Sequence, residues 1–127
     1  MNKGINTAKY LCLLPGFFLI ISGLLILLAP DAAGKVFDIT DSDKLKEPFA
    51  LAMGIRQVAI GLMIVALALS NQIKALAIIM LIGAIVPATD FFFFRPTIGA
   101  FSALRHVAPV PLIAGLGIYL LLKIKNR

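Results

Sequence analysis

Gly54-Ile55-Arg56-Gln57-Val58-Ala59-Ile60-Gly61 sets an arginine and a glutamine inside an apolar run over residues 49–69. A helix of that length crosses a hydrocarbon core of ~30 Å. A charge at that depth costs roughly 2.5–3.5 kcal/mol on insertion scales, so it normally faces a bundle interior and marks either a functional site or a structural ion pair. Three further apolar runs, one intramembrane aspartate and the single histidine surround this arginine in the chain. The fold class expected is all-α: four transmembrane helices in an antiparallel bundle.

Composition leads to the same place. Of 127 residues, 61% are hydrophobic, and the mean hydropathy is +1.02, against about 45–50% apolar in ordinary globular chains. A single domain of this length, residues 1–127, cannot bury that much apolar surface in a soluble core, so the lipid bilayer is the expected partner. The formal charge of +6 does not point to nucleic acid. The basic residues gather near span ends rather than in a stripe interleaved with aromatics. Cys12 is the one cysteine; it excludes an intramolecular disulfide and a multi-cysteine metal site and reads as a small buried hydrophobe. No glycine-rich phosphate loop is present, so no soluble cofactor is expected, and no metal.

Taken in order, residues 1–9 are a short polar start with Lys3 and Lys9, and residues 10–29 carry no charge. That run exceeds the roughly 7–15 residues of a signal-peptide core and no small-x-small cleavage site follows, so it is read as the first span. Residues 30–47 form the polar loop and hold five of the six acids: Asp31, Asp38, Asp41, Asp43 and Glu47. Asp38-x-x-Asp41-x-Asp43 lacks the glycine turn and closing glutamate of a calcium loop. A solvated loop is expected, with a short helix over residues 31–37 and with Phe37 and Ile39 dipping back onto the bundle. Pro48 suits a first helical turn and opens the second span, residues 49–69. Ser70-Asn71-Gln72 is a tight turn before the third span, residues 73–94. Arg95-Pro96-Thr97 is expected to break the chain before the fourth, residues 100–122. Gly115-x-Gly117 reads as close packing, and Tyr10 and Tyr119 as interfacial aromatics.

The end with both termini carries Lys3, Lys9, Lys74, Lys123, Lys125 and Arg127, against Lys35, Lys44, Lys46 and Arg95 at the other end. The positive-inside rule then places both termini in the cytoplasm of a multi-pass protein of the cell (inner or plasma) membrane.

With that orientation Arg56 lies about 12 Å along its helix from the outer end. Asp90 falls near the outer end of span three, Arg105 and His106 in the first third of span four, and Ser22 in the outer half of span one. This shared depth is the sequence's signal for a polar site. Gln57 shares a helix face with Ala50, Gly54, Gly61 and Ala68, a seam of small residues that lets membrane helices approach. Arg56, on the Ala52/Ala59 stripe, is expected to look toward the same packed quadrant. Pro87 removes the donor for the Gly83 carbonyl, and Pro109 the donor for that of Arg105, beside Asp90 and His106. Loosened backbone of this kind is tolerated only inside protein or beside a water-filled cavity. Phe91 to Phe94 read as interfacial, lipid-facing packing, with some rings available to roof a pocket.

The sequence of features is a first span, Pro30-Asp31-Ala32-Ala33 with Phe37-Asp38-Ile39, Gly54-Ile55-Arg56-Gln57 with Gly61, Pro87-x-x-Asp90, and His106 early in span four. It resembles an uncharacterised family of small four-helix membrane proteins of bacteria and fungi, catalogued as a domain of unknown function. More loosely, it is similar to the DoxX-like membrane proteins. The resemblance covers nearly the whole chain and implies fold and pocket location, not activity. In that pattern an acid usually follows the arginine; here Gln57 stands there.

Three functions compete. The favoured one is an outer-leaflet pocket for a small hydrophobic or amphiphilic ligand. In it Arg56, Gln57, Ser22 and Arg105 bind, and Asp90 and His106 form an acid–base pair. An isomerase, cyclase or hydrolase acting on a lipid-like substrate fits that arrangement, as does simple binding. The second is a small dimeric transporter or channel, and the third an accessory subunit whose polar cluster fixes helix register. A homo-oligomer is compatible with each.

Overall fold

The computed structural model describes residues 2–126; Met1 and Arg127, the last residue of the basic tail, lie outside the described residues. Its elements are α1 (Lys3–Leu11), α2 (Leu13–Leu28), α3 (Pro30–Phe37), a 3-10 turn (Ser42–Lys46), α4 (Pro48–Leu69), α5 (Ile73–Gly83), α6 (Ile85–Ile98), α7 (Ala100–Val107) and α8 (Val110–Lys125). The described residues contain no strand. Prolines decide where the long helices are interrupted. Cys12 and Ala84 each stand three residues before a proline, Pro15 and Pro87, and both adopt the same slackened helical geometry, φ −64° and ψ −19°. The third interruption falls at Ala108 and Pro109. A proline ring cannot donate to the carbonyl four residues back and crowds it, so the turn before it opens. Helix α4 has a proline only at its first position and runs unbroken for 22 residues.

Joined across these slack turns, four helices are long and apolar enough to cross a membrane: Lys3–Leu28, Pro48–Leu69, Ile73–Ile98 and Ala100–Lys125. The first begins at Lys3 rather than residue 10, because Asn2 Oδ1 accepts from the Gly4 N–H at 3.1 Å and caps the polar start into helix. The third corrects the expectation of a break at Arg95-Pro96-Thr97. Pro96 stays inside α6, the Gly99 N–H still reaches the Arg95 carbonyl at 3.1 Å, and the turn falls at Gly99. Gly99 has φ 84° and ψ 159°, a conformation open essentially to glycine alone. Large apolar side chains lie exposed along all four helices, Phe93 at 76% and Phe101 at 84% among them. Contiguous apolar surface on that scale requires lipid rather than water around it.

The chain divides into two compact units, residues 16–63 and the remainder. Within residues 16–63, α2 and α4 run antiparallel at glycine contacts. A Cβ at Gly61 would stand 2.6 Å from the Gly16 carbonyl oxygen, and one at Gly23 2.5 Å from that of Gly54. The polar loop is ordered against the same unit. Ile26, Ala33 and Leu45 are buried together, with Phe37, Ile39 and Ala50 packed on them, so Phe37 and Ile39 do fold back. Helix α3 ends at Asp38 in the left-handed conformation, φ 58°, and the Ile39 N–H returns to the Gly34 carbonyl at 2.8 Å.

In the other unit α5 packs on α8 through Leu76, Ala77, Met80, Leu116, Gly117 and Leu120. A Cβ at Gly117 would meet Leu81 Cγ at 2.8 Å and the Ala77 carbonyl oxygen at 3.0 Å, whereas one at Gly115 would enter open space. The expected glycine pair is therefore a single close-packing glycine. Helix α1 lies against α8, and its Lys9, only 6% exposed, donates to Asn71 Oδ1 at 2.8 Å in the α4–α5 turn. Asn71 takes φ 58°, which asparagine tolerates better than most residues.

Candidate functional site

The candidate residues fall in both units, each with its own geometry. In residues 16–63, Ser22 is 3% exposed on α2 and donates to Gln57 Oε1 on α4 at 2.9 Å, with the Leu19 carbonyl 3.1 Å from the same hydroxyl. The glycine seam creates this contact, because only there do the two backbones approach closely enough for a serine and a glutamine to meet. The pairing occupies the glutamine's oxygen and leaves its amide N–H groups as the donors it can offer elsewhere. Arg56 is the next residue round the helix and is exposed, as are Ala52 and Ala59. The expected packed quadrant is thus split. Gly54 and Gly61 draw one side of α4 onto α2 and turn the Ala52/Arg56/Ala59 stripe away from it.

In the other unit, Asp90 and Phe94 lie one turn apart on α6, and His106 lies on α7, which folds back from Gly99 to pack on α6. The Phe94 ring stacks on the imidazole with centroids 4.8 Å apart and planes 25° from parallel. Asp90 and His106 are both half-buried, and the carboxylate interacts electrostatically with the imidazole. Phe91 and Phe92 meet edge to face at 5.5 Å. Arg105, exposed and adjacent to His106 in the chain, is itself engaged in an interaction. Pro87 and Pro109 deprive the Gly83 and Arg105 carbonyls of their usual helical donors on either side of this group. A histidine with an aromatic ring on one face and a carboxylate within electrostatic reach is held in orientation and can take or give a proton. Phe94 was legible as a partner only by its four-residue spacing from Asp90; hydrophobicity alone marks it as one ring in a lipid-facing run.

The acidic loop has its own chemistry. Asp31 Oδ1 accepts from Ser42 Oγ at 2.6 Å, and Lys46 Nζ lies 2.8 Å from Asp43 and 3.9 Å from Asp31. The Lys46 hydrogen bond and charge lower the pKa of Asp43, and the same bond raises that of Lys46. Among the described residues no group of three or more His, Cys, Asp or Glu side chains is placed to hold a metal ion. Asp31 is tied to Ser42 and Lys46, Asp43 to Lys46, and Asp41 Oδ1 accepts from the Asp43 N–H at 3.2 Å.

Four membrane-crossing helices with apolar exteriors make this chain a multi-pass integral membrane protein. It belongs to the family of the domain of unknown function DUF4267, whose model matches residues 16–120. No curated protein and no solved structure matches the chain.

Proposed function

We propose that the protein binds, or acts on, a small hydrophobic or amphiphilic ligand in the outer leaflet, through the Asp90/His106 group. The observation that carries this reading is the stacked Phe94–His106 pair with Asp90 in electrostatic range of the imidazole. An aromatic wall and an ionisable pair inside a hydrophobic span suit a molecule with an apolar body and one polar end. Asp90 and His106 exchange a proton with that polar end or hydrogen-bond to it. In this reading Arg105, next to His106 in the chain, offers a positive charge to an oxygen or anionic group of the ligand. Arg56, Gln57 and Ser22 are proposed separately as ligand-binding residues of their own unit, residues 16–63. Those four roles rest on the depth of the residues in the sequence. The positive-inside rule supports a cell-membrane orientation with both termini cytoplasmic.

A diazirine-bearing fatty-acid-like probe tests the reading in native membranes. Crosslinks concentrated on residues 90–94 and 102–109, and depleted in Asp90→Asn and His106→Gln proteins of unchanged helicity, support it. Labelling spread evenly over all exposed apolar positions, and unaltered by both substitutions, sinks it.

A register-fixing role is favoured at one point only. Ser22 and Gln57 satisfy each other, as helix-pairing groups in membranes do.

A further inference from the structure

A groove of about 380 Å³ lies between α1 and α8, lined by Gly4, Thr7, Ala8 and Leu11 on one side and Leu116 and Tyr119 on the other. Its walls run in matching depth. Leu11 and Leu116 mark the end nearer the membrane interior, and Gly4 lies against the Tyr119 hydroxyl at the end nearer the termini. From Leu11 to Gly4 is about 10 Å of helix rise, a third of a ~30 Å hydrocarbon core. A lysine stands at the terminal end of each wall. Lys3 precedes Thr7 by four residues on the groove face of α1, and Lys123 follows Tyr119 by four on that of α8. The Lys123 ammonium sits 5.7 Å from the centroid of the Tyr119 ring, which holds it beside the groove mouth. Lys9, by contrast, is buried and committed to Asn71. The feature is an apolar slot between two membrane helices that opens onto two cations.

We propose that this groove seats an anionic phospholipid, the upper part of one acyl chain between α1 and α8 and the phosphate against Lys3 and Lys123. Charge complementarity selects the occupant. The slot accepts hydrocarbon from any lipid, but two ammonium groups at its mouth favour a headgroup with net negative charge over a zwitterion. The Tyr119 hydroxyl stands at the depth of the glycerol and ester oxygens and can donate to them, whereas the Thr7 hydroxyl proton goes to the Lys3 carbonyl at 3.1 Å. The groove involves neither Asp90 nor His106, so this lipid is separate from the ligand proposed above.

The test is native mass spectrometry of the intact protein released from nanodiscs of equal phosphatidylglycerol and phosphatidylcholine. Wild type is expected to retain one phosphatidylglycerol in preference to phosphatidylcholine. Each lysine near an anionic surface contributes about a factor of five, so Lys3→Gln/Lys123→Gln is expected to lose retention roughly twenty-five-fold. Thr7→Trp, which fills the groove with both lysines intact, is expected to abolish it. If Thr7→Trp loses helicity, Leu11→Trp serves in its place. Lys35→Gln/Lys44→Gln, the same charge loss at the opposite end, is expected to leave retention unchanged. The proposal is overturned by equal retention of the two lipids in wild type, or by an equal loss in the Lys35/Lys44 control. It is also overturned if phosphatidylglycerol persists in the groove-filled protein or is displaced by millimolar inorganic phosphate, since either shows that the lysines bind a phosphate without an acyl chain.

Discussion

Gly61→Ala adds one methyl group at the point where α4 presses on α2. That Cβ would stand 2.6 Å from the Gly16 carbonyl oxygen, 2.7 Å from Ile20 Cγ1 and 2.9 Å from the Ile20 nitrogen. Two of the three atoms are backbone, so no side-chain rotation relieves the clash. The helices must part until the closest distance grows from 2.6 Å to at least 3.4 Å, the start of ordinary contact. Overpacking of this kind costs about 1–3 kcal/mol. Parting the helices also lengthens the 2.9 Å Ser22–Gln57 hydrogen bond, which lies on the same interface. Gly23→Ala meets the Gly54 carbonyl oxygen at 2.5 Å and Val58 Cγ2 at 2.7 Å, and the double variant is expected to cost less than the sum, because the first methyl has already parted the pair. Gly115→Ala is the control, for it enters open space inside a helix. There alanine is expected to gain about 0.5–1 kcal/mol through its better helix propensity. The assay is thermal unfolding in nanodiscs, followed by circular dichroism. Gly61→Ala melting like wild type, or Gly115→Ala melting as low as Gly61→Ala, refutes the α2–α4 contact.

Other consequences are smaller and equally direct. In a double-mutant cycle, Ser22→Ala and Gln57→Leu should couple by about 0.6 kcal/mol, the average for hydrogen bonds between membrane helices; additive losses in unfolding midpoint contradict the bond. In the loop, the hydrogen bond and charge of Lys46 put the Asp43 titration midpoint below its ordinary 3.8 and that of Lys46 above 10.5. The contribution of this pair to loop order is therefore full between those ordinary values. It is lost as pH falls through the lowered Asp43 pKa and as pH rises through the raised Lys46 pKa. Carbon-13 carboxyl shifts should show the Asp43 midpoint moving back up in Lys46→Gln, and an unmoved midpoint removes the pair. On the proposed orientation, with both termini cytoplasmic, a Cys12→Ala protein carrying Lys44→Cys should react with an impermeant maleimide on intact cells. One carrying Lys125→Cys should react only after permeabilisation, and the reverse pattern inverts the topology.

Long hydrophobic periods declared the four spans, because no soluble chain of this size tolerates such runs. Residues whose effect is local were also legible: Pro48 at a helix start, and Gly54 and Gly61 as a seam that another helix must approach. Where the reading of the sequence and the structure part, the deciding contact is distant in sequence or competes with another. Pro96 has a strong tendency to break a helix, but Gly99, three residues later, offers a sharper turn at less cost, so the helix continues to it. Gly115 and Gly117 look equivalent in sequence, yet only one meets α5. Arg56 and Gln57 are neighbours, but a 100° step puts the glutamine beside Ser22 and leaves the arginine exposed. Lys9, an ordinary flanking lysine by pattern, is buried because Asn71, 62 residues away, supplies its acceptor. Polar residues at similar depth signalled a site, but the Phe94 stack on His106 depends on the turn at Gly99, whose geometry no spacing rule encodes.

Native mass spectrometry of the protein released from its own cell membranes, beside Asp90→Asn and His106→Gln proteins, tests most directly the claim that Asp90 and His106 form a ligand site. The wild type is expected to carry a discrete small amphiphile that both variants lose while keeping their fold and oligomeric state. A wild type that carries no such molecule, or variants that keep it, would contradict the claim.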